Sequence, residues 1–140
     1  MAADRFAIAL GSNLGDRRAH LAAAREAIAA LPGTRLAAAG TIEETEPLGP
    51  VSQGPFLNQM LLVETDLGPR ALLQALLAIE RSRGRERRER WGPRTLDCDI
   101  VWAEDPVHET DLVIPHPELP NRPFWQRELA ELGVYTSAAR

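Results

Sequence analysis

Two aspartates, Asp97 and Asp99, open the apolar run DCDIVWA, directly after a stretch dense in arginine. On a strand, residues two apart project from the same face, so the two carboxylates sit side by side and opposite Cys98. Like charges held that close oppose each other's ionisation unless a cation lies between them. Magnesium favours one or two carboxylates, waters and phosphate oxygens. The pair alone reads equally well as two solvated residues on an edge strand. Its surroundings add weight to the metal. Arg81, Arg83, Arg85, Arg87, Arg88, Arg90 and Arg94 precede it, with Glu86 and Glu89 interleaved. The interleaved charges also fit a salt-bridged, solvated surface for part of that run. Gly84 is placed to end a helix, which leaves the later arginines on a loop. Arginine forks on a loop beside paired carboxylates suit a polyphosphate carried with magnesium. Trp91 either stacks on a base or anchors that loop. Glu80 is a carboxylate near a helix C-terminus, where the dipole disfavours it; it is either plainly exposed or held there for a reason.

Two further constellations stand apart. TEPLGP at 45–50 holds its backbone groups in place through proline, and Phe56 and Asn58 follow two apart on a strand. An aromatic beside an amide suits a flat heterocycle with hydrogen-bonding edges, although a core phenylalanine and a strand-end asparagine make the same pattern. In IPHPELPNRPF, His116 lies between prolines, with Arg122 and Phe124 behind it. A lone histidine is more often structural, but His116 and Arg122 add donors for phosphate. All sixteen basic residues are arginine. The absence of lysine excludes a Walker-type loop, a Schiff base and a lysine base.

The elements that must position these groups follow from periodicity. RFAIALG reads as a strand ending at Gly11. Asp16 caps a helix running to about Leu31, with Leu21, Ala24, Ile28 and Leu31 on one face and Pro32-Gly33 as the stop. A second strand is expected from Arg35 to about Glu44, then a loop, then the largely buried strand FLNQMLLVET. Gly68-Pro69 opens a second helix whose apolar face is Leu72, Leu76 and Ile79, flanked by Leu73 and Leu77. TLDCDIVWA is expected as a fourth strand, followed by proline-marked pieces and a short helix in WQRELAELGV. The order βαββαβ predicts an α+β, ferredoxin-like sandwich: a mainly antiparallel sheet with helices packed on one face.

Composition narrows the class. A chain of 140 residues with 44% hydrophobic and 26% charged residues fits one soluble domain, 1–140. A net charge of −4 and 5% aromatics argue against nucleic-acid binding. No apolar run reaches membrane-span length. The start, Met-Ala-Ala-Asp-Arg, is too charged for a secretory signal, and the one cysteine builds no disulfide framework. A cytoplasmic protein with no membrane or nucleic-acid partner is expected.

The motifs GSNLGD (11–16), ETEPLGP (44–50), FLN (56–58), GRERRERWGPRTLDCDI (84–100) and PHPELPNRPF (115–124) together resemble the 6-hydroxymethyl-7,8-dihydropterin pyrophosphokinases of folate biosynthesis. The resemblance runs from the first strand to Phe124. It implies the same ferredoxin-like fold, and transfer of the β,γ-diphosphate of ATP to the pterin hydroxymethyl group with release of AMP. It implies two magnesium ions held by Asp97 and Asp99, and Arg85 and Arg94 steadying the diphosphate. It places Glu80, Arg87, Arg90, Trp91, Ile100, His116 and Arg122 around ATP. It places Thr45, Pro47, Leu48, Phe56, Asn58 and Phe124 around the pterin, with the two phenylalanines sandwiching the ring. A monomer is expected. Three departures stand out. Asp111 and Val113 replace an arginine and a threonine of some members, Leu77 replaces a polar residue, and WQRELAELGV replaces the usual tail after about 125. Two other readings compete. A sugar-nucleotide transferase built on D-x-D needs a larger nucleotide-binding domain. A non-catalytic anion-binding module has no use for paired carboxylates.

Overall fold

A computed structural model of the protein describes residues 3–47, 53–84 and 95–135. Strand β1 (Asp4–Ser12) leads through helix α1 (Arg17–Ala29) to β2 (Thr34–Ala39) and β3 (Glu43–Thr45). Strand β4 (Phe56–Thr65) leads through α2 (Pro69–Ser82) to β5 (Asp97–Ala103). A small hairpin, β6 (Val107–Glu109) and β7 (Leu112–Ile114), a 3-10 turn at Leu119–Asn121 and α3 (Pro123–Glu131) complete the described chain. The main sheet runs β2-β4-β1-β5, with β3 beside β4 and every pairing antiparallel. Each of the two βαβ crossovers therefore skips one strand, which is the ferredoxin-like arrangement expected.

The central strand β1 is buried on both faces, and its alternation of size decides what packs where. Phe6, Ile8 and Leu10 point to the layer made by α1 and α2, with Leu21, Ile28, Leu72, Leu76 and Leu61. Ala7 and Ala9 point to the other face, where their small side chains leave room for Trp125 and Leu129 of α3. Truncating a fully buried side chain such as Leu10 to alanine removes contacts worth about 2–5 kcal/mol. The two crossover helices share one face, as expected, and the C-terminal helix covers part of the opposite one.

The helix signals act as predicted. Asp16 caps α1, its Oδ1 accepting the Ala19 N–H at 3.1 Å. Pro69 occupies the first turn of α2. Gly84 follows the last turn with φ +80°, a conformation that costs glycine little.

The single strand expected over 35–44 is two strands. Both pair with β4, β2 against residues 61–65 and β3 against 56–58. Between them the Gly40 N–H donates to the Met60 carbonyl, 2.8 Å, and its carbonyl accepts from Gln59 Nε2, 2.7 Å. The chain bends there because Glu131 of α3 reaches in and accepts the Thr41 N–H at 2.8 Å. The run TLDCDIVWA is accordingly the fifth strand. The β6–β7 hairpin was not foreseen either. Arg70 of α2 ties it down through Glu109 and Asp111.

Candidate functional site

The register of three strands brings the predicted groups onto one line. Asn58 of β4 lies opposite Gly11 of β1, and Gly11 lies opposite Asp97 of β5. One row further along, Met60, Ala9 and Asp99 are aligned in the same way. Cys98 and Ile100 belong to the core layer under α1 and α2. Asp97 and Asp99 therefore share the opposite face, together with Gly11, Asn58 and Phe56, as the two-residue period requires. Neighbouring strands are about 4.8 Å apart, so Asn58 and Asp97 stand on the order of 10 Å from each other across the sheet. This face carries α3 at one end and the site residues at the other.

Gly11 is the floor between the two ends of that row. A Cβ there meets Asn58 Oδ1 at 3.4 Å and Phe56 Cδ1 at 3.5 Å. A side chain would fill the space between the amide, the ring and Asp97.

On the β4 side the polar groups that meet Asn58 are neutral and held. Asn58 is buried, and its Nδ2 donates to Thr45 Oγ1 at 2.6 Å and to the Phe56 carbonyl at 3.4 Å. That leaves its Oδ1 turned toward Gly11. Phe56, Thr45 and Pro47 are half-buried. The approach to β4 is fastened from across the sheet by two residues of the β1–α1 turn. Asn13 Nδ2 donates to Gln53 Oε1 at 2.7 Å and to the Gly54 carbonyl at 3.0 Å. Arg17 donates to the Pro55 carbonyl at 3.1 Å and pairs with Glu44 at 3.1 Å. Asn13 and Arg17 have no assigned role in the sequence reading. Their signal was a polar residue on either side of the turn in GSNLGDR.

On the β5 side the groups are charged. The Asp99 side chain is 39% exposed, and its Oδ1 lies 4.0 Å from His116 Nε2. His116 Nδ1 accepts the Glu118 N–H at 3.0 Å, so the neutral ring carries its proton on Nε2, the nitrogen nearer Asp99. Burial, and then the neighbouring Arg122 guanidinium, hold the His116 pKa below its ordinary value. Its backbone is tied to β5 through His116 N–H to the Val101 carbonyl, 2.9 Å. Arg122 lies over the Trp125 ring, 4.3 Å from its centroid. Phe124 is half-buried at the start of α3, on the same sheet face as Phe56.

Two expected ATP-side residues behave differently from a simple lining. Glu80 is buried, and its Oε2 accepts the Cys98 N–H at 2.7 Å. The unfavourably placed helix-end carboxylate thus braces the strand between the two aspartates, from the opposite face. The Ile100 side chain is in the core. Because the Cys98 N–H points away from β1, strand alternation puts the Ile100 main-chain groups on that same outer edge of β5.

Leu48, Arg85, Arg87, Arg90, Trp91 and Arg94 lie outside the described residues. Among the departures, Asp111 is engaged by Arg70 at 2.8 Å, while Val113 sits half-buried on β7 and Leu77 half-buried on α2.

The family model for 7,8-dihydro-6-hydroxymethylpterin-pyrophosphokinase matches residues 7–134. Three similar proteins carry the name 2-amino-4-hydroxy-6-hydroxymethyldihydropteridine pyrophosphokinase. The one from Pseudomonas aeruginosa is 43% identical over 130 residues, covering 92% of this chain and 80% of the relative. That from Methylorubrum extorquens is 42% identical, covering 92% and 82%. That from Bacillus subtilis is 40% identical over 129 residues, covering 89% and 75%.

Proposed function

We infer the chemistry of this site from what the chain is: it belongs to the 7,8-dihydro-6-hydroxymethylpterin-pyrophosphokinase family. It is an ATP-dependent pyrophosphokinase of folate biosynthesis. It transfers the β,γ-diphosphate of ATP to the hydroxymethyl group of 6-hydroxymethyl-7,8-dihydropterin and releases AMP. The hydroxymethyl oxygen forms a bond to the β-phosphorus, the bond from that phosphorus to the α,β-bridging oxygen breaks, and the electron pair leaves with AMP. The hydroxyl proton is released as the new bond forms.

The roles of individual residues are our proposal, and the row Asn58–Gly11–Asp97 carries it. The pterin lies at the β4 end. There Asn58 presents its amide oxygen, with Thr45, Pro47 and Leu48 lining the edge and Phe56 and Phe124 enclosing the ring. ATP lies at the β5 end, with its phosphates toward Asp97 and Asp99. Gly11 leaves the gap open in which the hydroxymethyl group and the β-phosphorus meet. His116 donates from Nε2, Arg122 adds a guanidinium, and the Ile100 main chain on the outer edge of β5 offers its N–H and carbonyl to the base. Glu80 acts on ATP through the strand, holding the Cys98 N–H. Arg85 and Arg94 steady the diphosphate, and Arg87, Arg90 and Trp91 complete the nucleotide side.

The donor set suits magnesium: two half-buried carboxylates share one face, with the Cys98 side chain turned into the core on the other. Asp97 and Asp99 would hold two such ions. When bound, magnesium offsets the roughly four negative charges of the triphosphate that repel an oxygen nucleophile. The residues themselves contribute alignment, which carries most of a phosphoryl transfer. We read residues 1–140 as one such domain, working as a cytoplasmic monomer; sedimentation equilibrium checks the monomer, and metal titration checks the count of two.

The test is a product assay with ATP, magnesium and the pterin. AMP and pterin diphosphate, lost on adding EDTA, are the expected outcome. ADP in place of AMP would overturn the point of attack.

A further inference from the structure

Trp125 opens the tail that departs from the family pattern, and it touches two groups of the nucleotide side, His116 and Arg122. It is 3% exposed and packs in the cluster formed by Ala7, Ala9, Met60, Leu62 and Val101. Its ring meets His116 edge-on, with centroids 5.1 Å apart and planes at 79°. The Arg122 guanidinium lies 4.3 Å over the same ring. Arg122 Nε is buried and meets no hydrogen-bond acceptor among the described residues. The aromatic face, rather than a carboxylate or carbonyl at that nitrogen, is what locates this guanidinium.

We propose that Trp125 is a positioning residue for the nucleotide, an aromatic platform that aims Arg122 and His116 at the phosphate-bearing edge of β5. The inference rests on the reading of His116 and Arg122 as ATP-side groups. The physical basis is twofold. A guanidinium on an indole face keeps its in-plane N–H groups turned outward, available to phosphate oxygens. A buried indole on a helix fixed to the sheet loses little freedom when ligand binds, so the donors arrive already oriented. The small residues Ala7 and Ala9 on β1 admit the indole at this depth.

The experiment compares Trp125→Leu with Trp125→Phe. Both remove volume from the core, but only phenylalanine keeps an aromatic face. The probe is α,β-methylene-ATP with magnesium, whose bridge the reaction does not cleave, and the readout is its dissociation constant by calorimetry. Trp125→Leu is expected to weaken binding about tenfold and Trp125→Phe about threefold or less. The double variant Trp125→Leu with Arg122→Ala should lose less affinity than the product of the two single losses, because the part of the Trp125 effect that runs through Arg122 is already gone. Equal effects of leucine and phenylalanine, or losses that multiply in the double variant, would show that Trp125 only fills the core and would overturn the proposal. If Arg122→Ala leaves the dissociation constant unchanged, the assignment of Arg122 to ATP fails first and removes the ground for it. Should the leucine variant not fold, Trp125→Phe with Arg122→Ala provides the same cycle.

Discussion

The wall formed by β3 and β4 and the edge formed by β5 are made of opposite materials. At the wall, Asn58, Thr45 and the carbonyl of Phe56 close on one another at 2.6–3.4 Å, and every partner is neutral. At the edge, two aspartates stand side by side with a neutral histidine 4.0 Å away. Hydrogen bonds made in advance let a flat neutral heterocycle bind without rearranging its host. The edge, by contrast, carries carboxylates that are partly open to solvent, Asp99 at 39% exposure. The wall is built from neutral hydrogen bonds, and the edge carries negative charge.

The largest expected effect lies at the edge. Asp97→Ala should lower AMP formation by about a thousandfold or more, with an unchanged circular dichroism spectrum because the side chain is only half-buried. Appreciable turnover by this folded variant would remove the metal role. At the wall, Asn58→Ala leaves the Thr45 hydroxyl without its donor and should weaken pterin binding by about 1–3 kcal/mol, with nucleotide affinity unchanged. A matched loss on both substrates would mean the two regions are not separable. Gly11→Ala, on the floor between them, should raise the KM for pterin by about tenfold, as a methyl excluding one ring edge would. Its melting temperature should hardly move, because the new carbon finds ordinary contacts at 3.4–3.5 Å.

Behind the wall, Glu128 of α3 is buried, and neither of its oxygens meets a donor among the described residues. Burial, with the Glu43 carboxylate beside it, pushes its pKa up to about 9. The folded protein thus keeps a proton that the unfolded chain gives up above about 4.5. Stability contributed by this site is present at low pH and is lost as pH rises toward 9. Glu128→Gln should accordingly raise stability by about 2–4 kcal/mol near pH 7.5 and by little near pH 4.5. Denaturant titrations at the two pH values check this, and a gain independent of pH would contradict it. The smallest effect is expected at the hairpin. Asp111 is taken up by Arg70, so Asp111→Asn should leave the ATP dissociation constant unchanged.

The wall and the edge also differed in how much could be read from sequence. The two-residue period of Asp97 and Asp99, like that of Phe56 and Asn58, named the correct shared faces, and the helices followed their caps. That period does not say which strands are neighbours. The Asn58–Gly11–Asp97 row, and the placement of Ile100 at a sheet edge, exist only once β1 lies between β4 and β5. The bend at Gly40 was hidden because its cause, Glu131, is about ninety residues away. The β6–β7 hairpin has strands of three residues, too short for a periodic signal, and it depends on Arg70 from another element. The helix dipole marked Glu80 as oddly placed but left open whether it was exposed or held; its burial, like that of Glu128, is visible only in the packing. Trp125 opens the segment that departs from the family pattern, so no motif marks it, and its contacts with His116 and Arg122 exist only in three dimensions.

On the proposed placement, the alignment of the two substrates is a length, and the sheet supplies the ruler. From Asn58 to Asp97 is two inter-strand steps, each fixed by backbone hydrogen bonds that no side-chain substitution easily stretches. Side chains on the rung can be exchanged and tuned, but the span itself is quantised. The irregularity in the β1–β5 pairing falls between Ala7 and Ile8, so the rungs at Ala9 and Gly11 stay in regular step. A slip of β5 by one residue would turn both carboxylates into the core and bring Leu96 and Cys98 to the site. On that placement, substitutions along the row change its chemistry by degrees, whereas a change of register removes it.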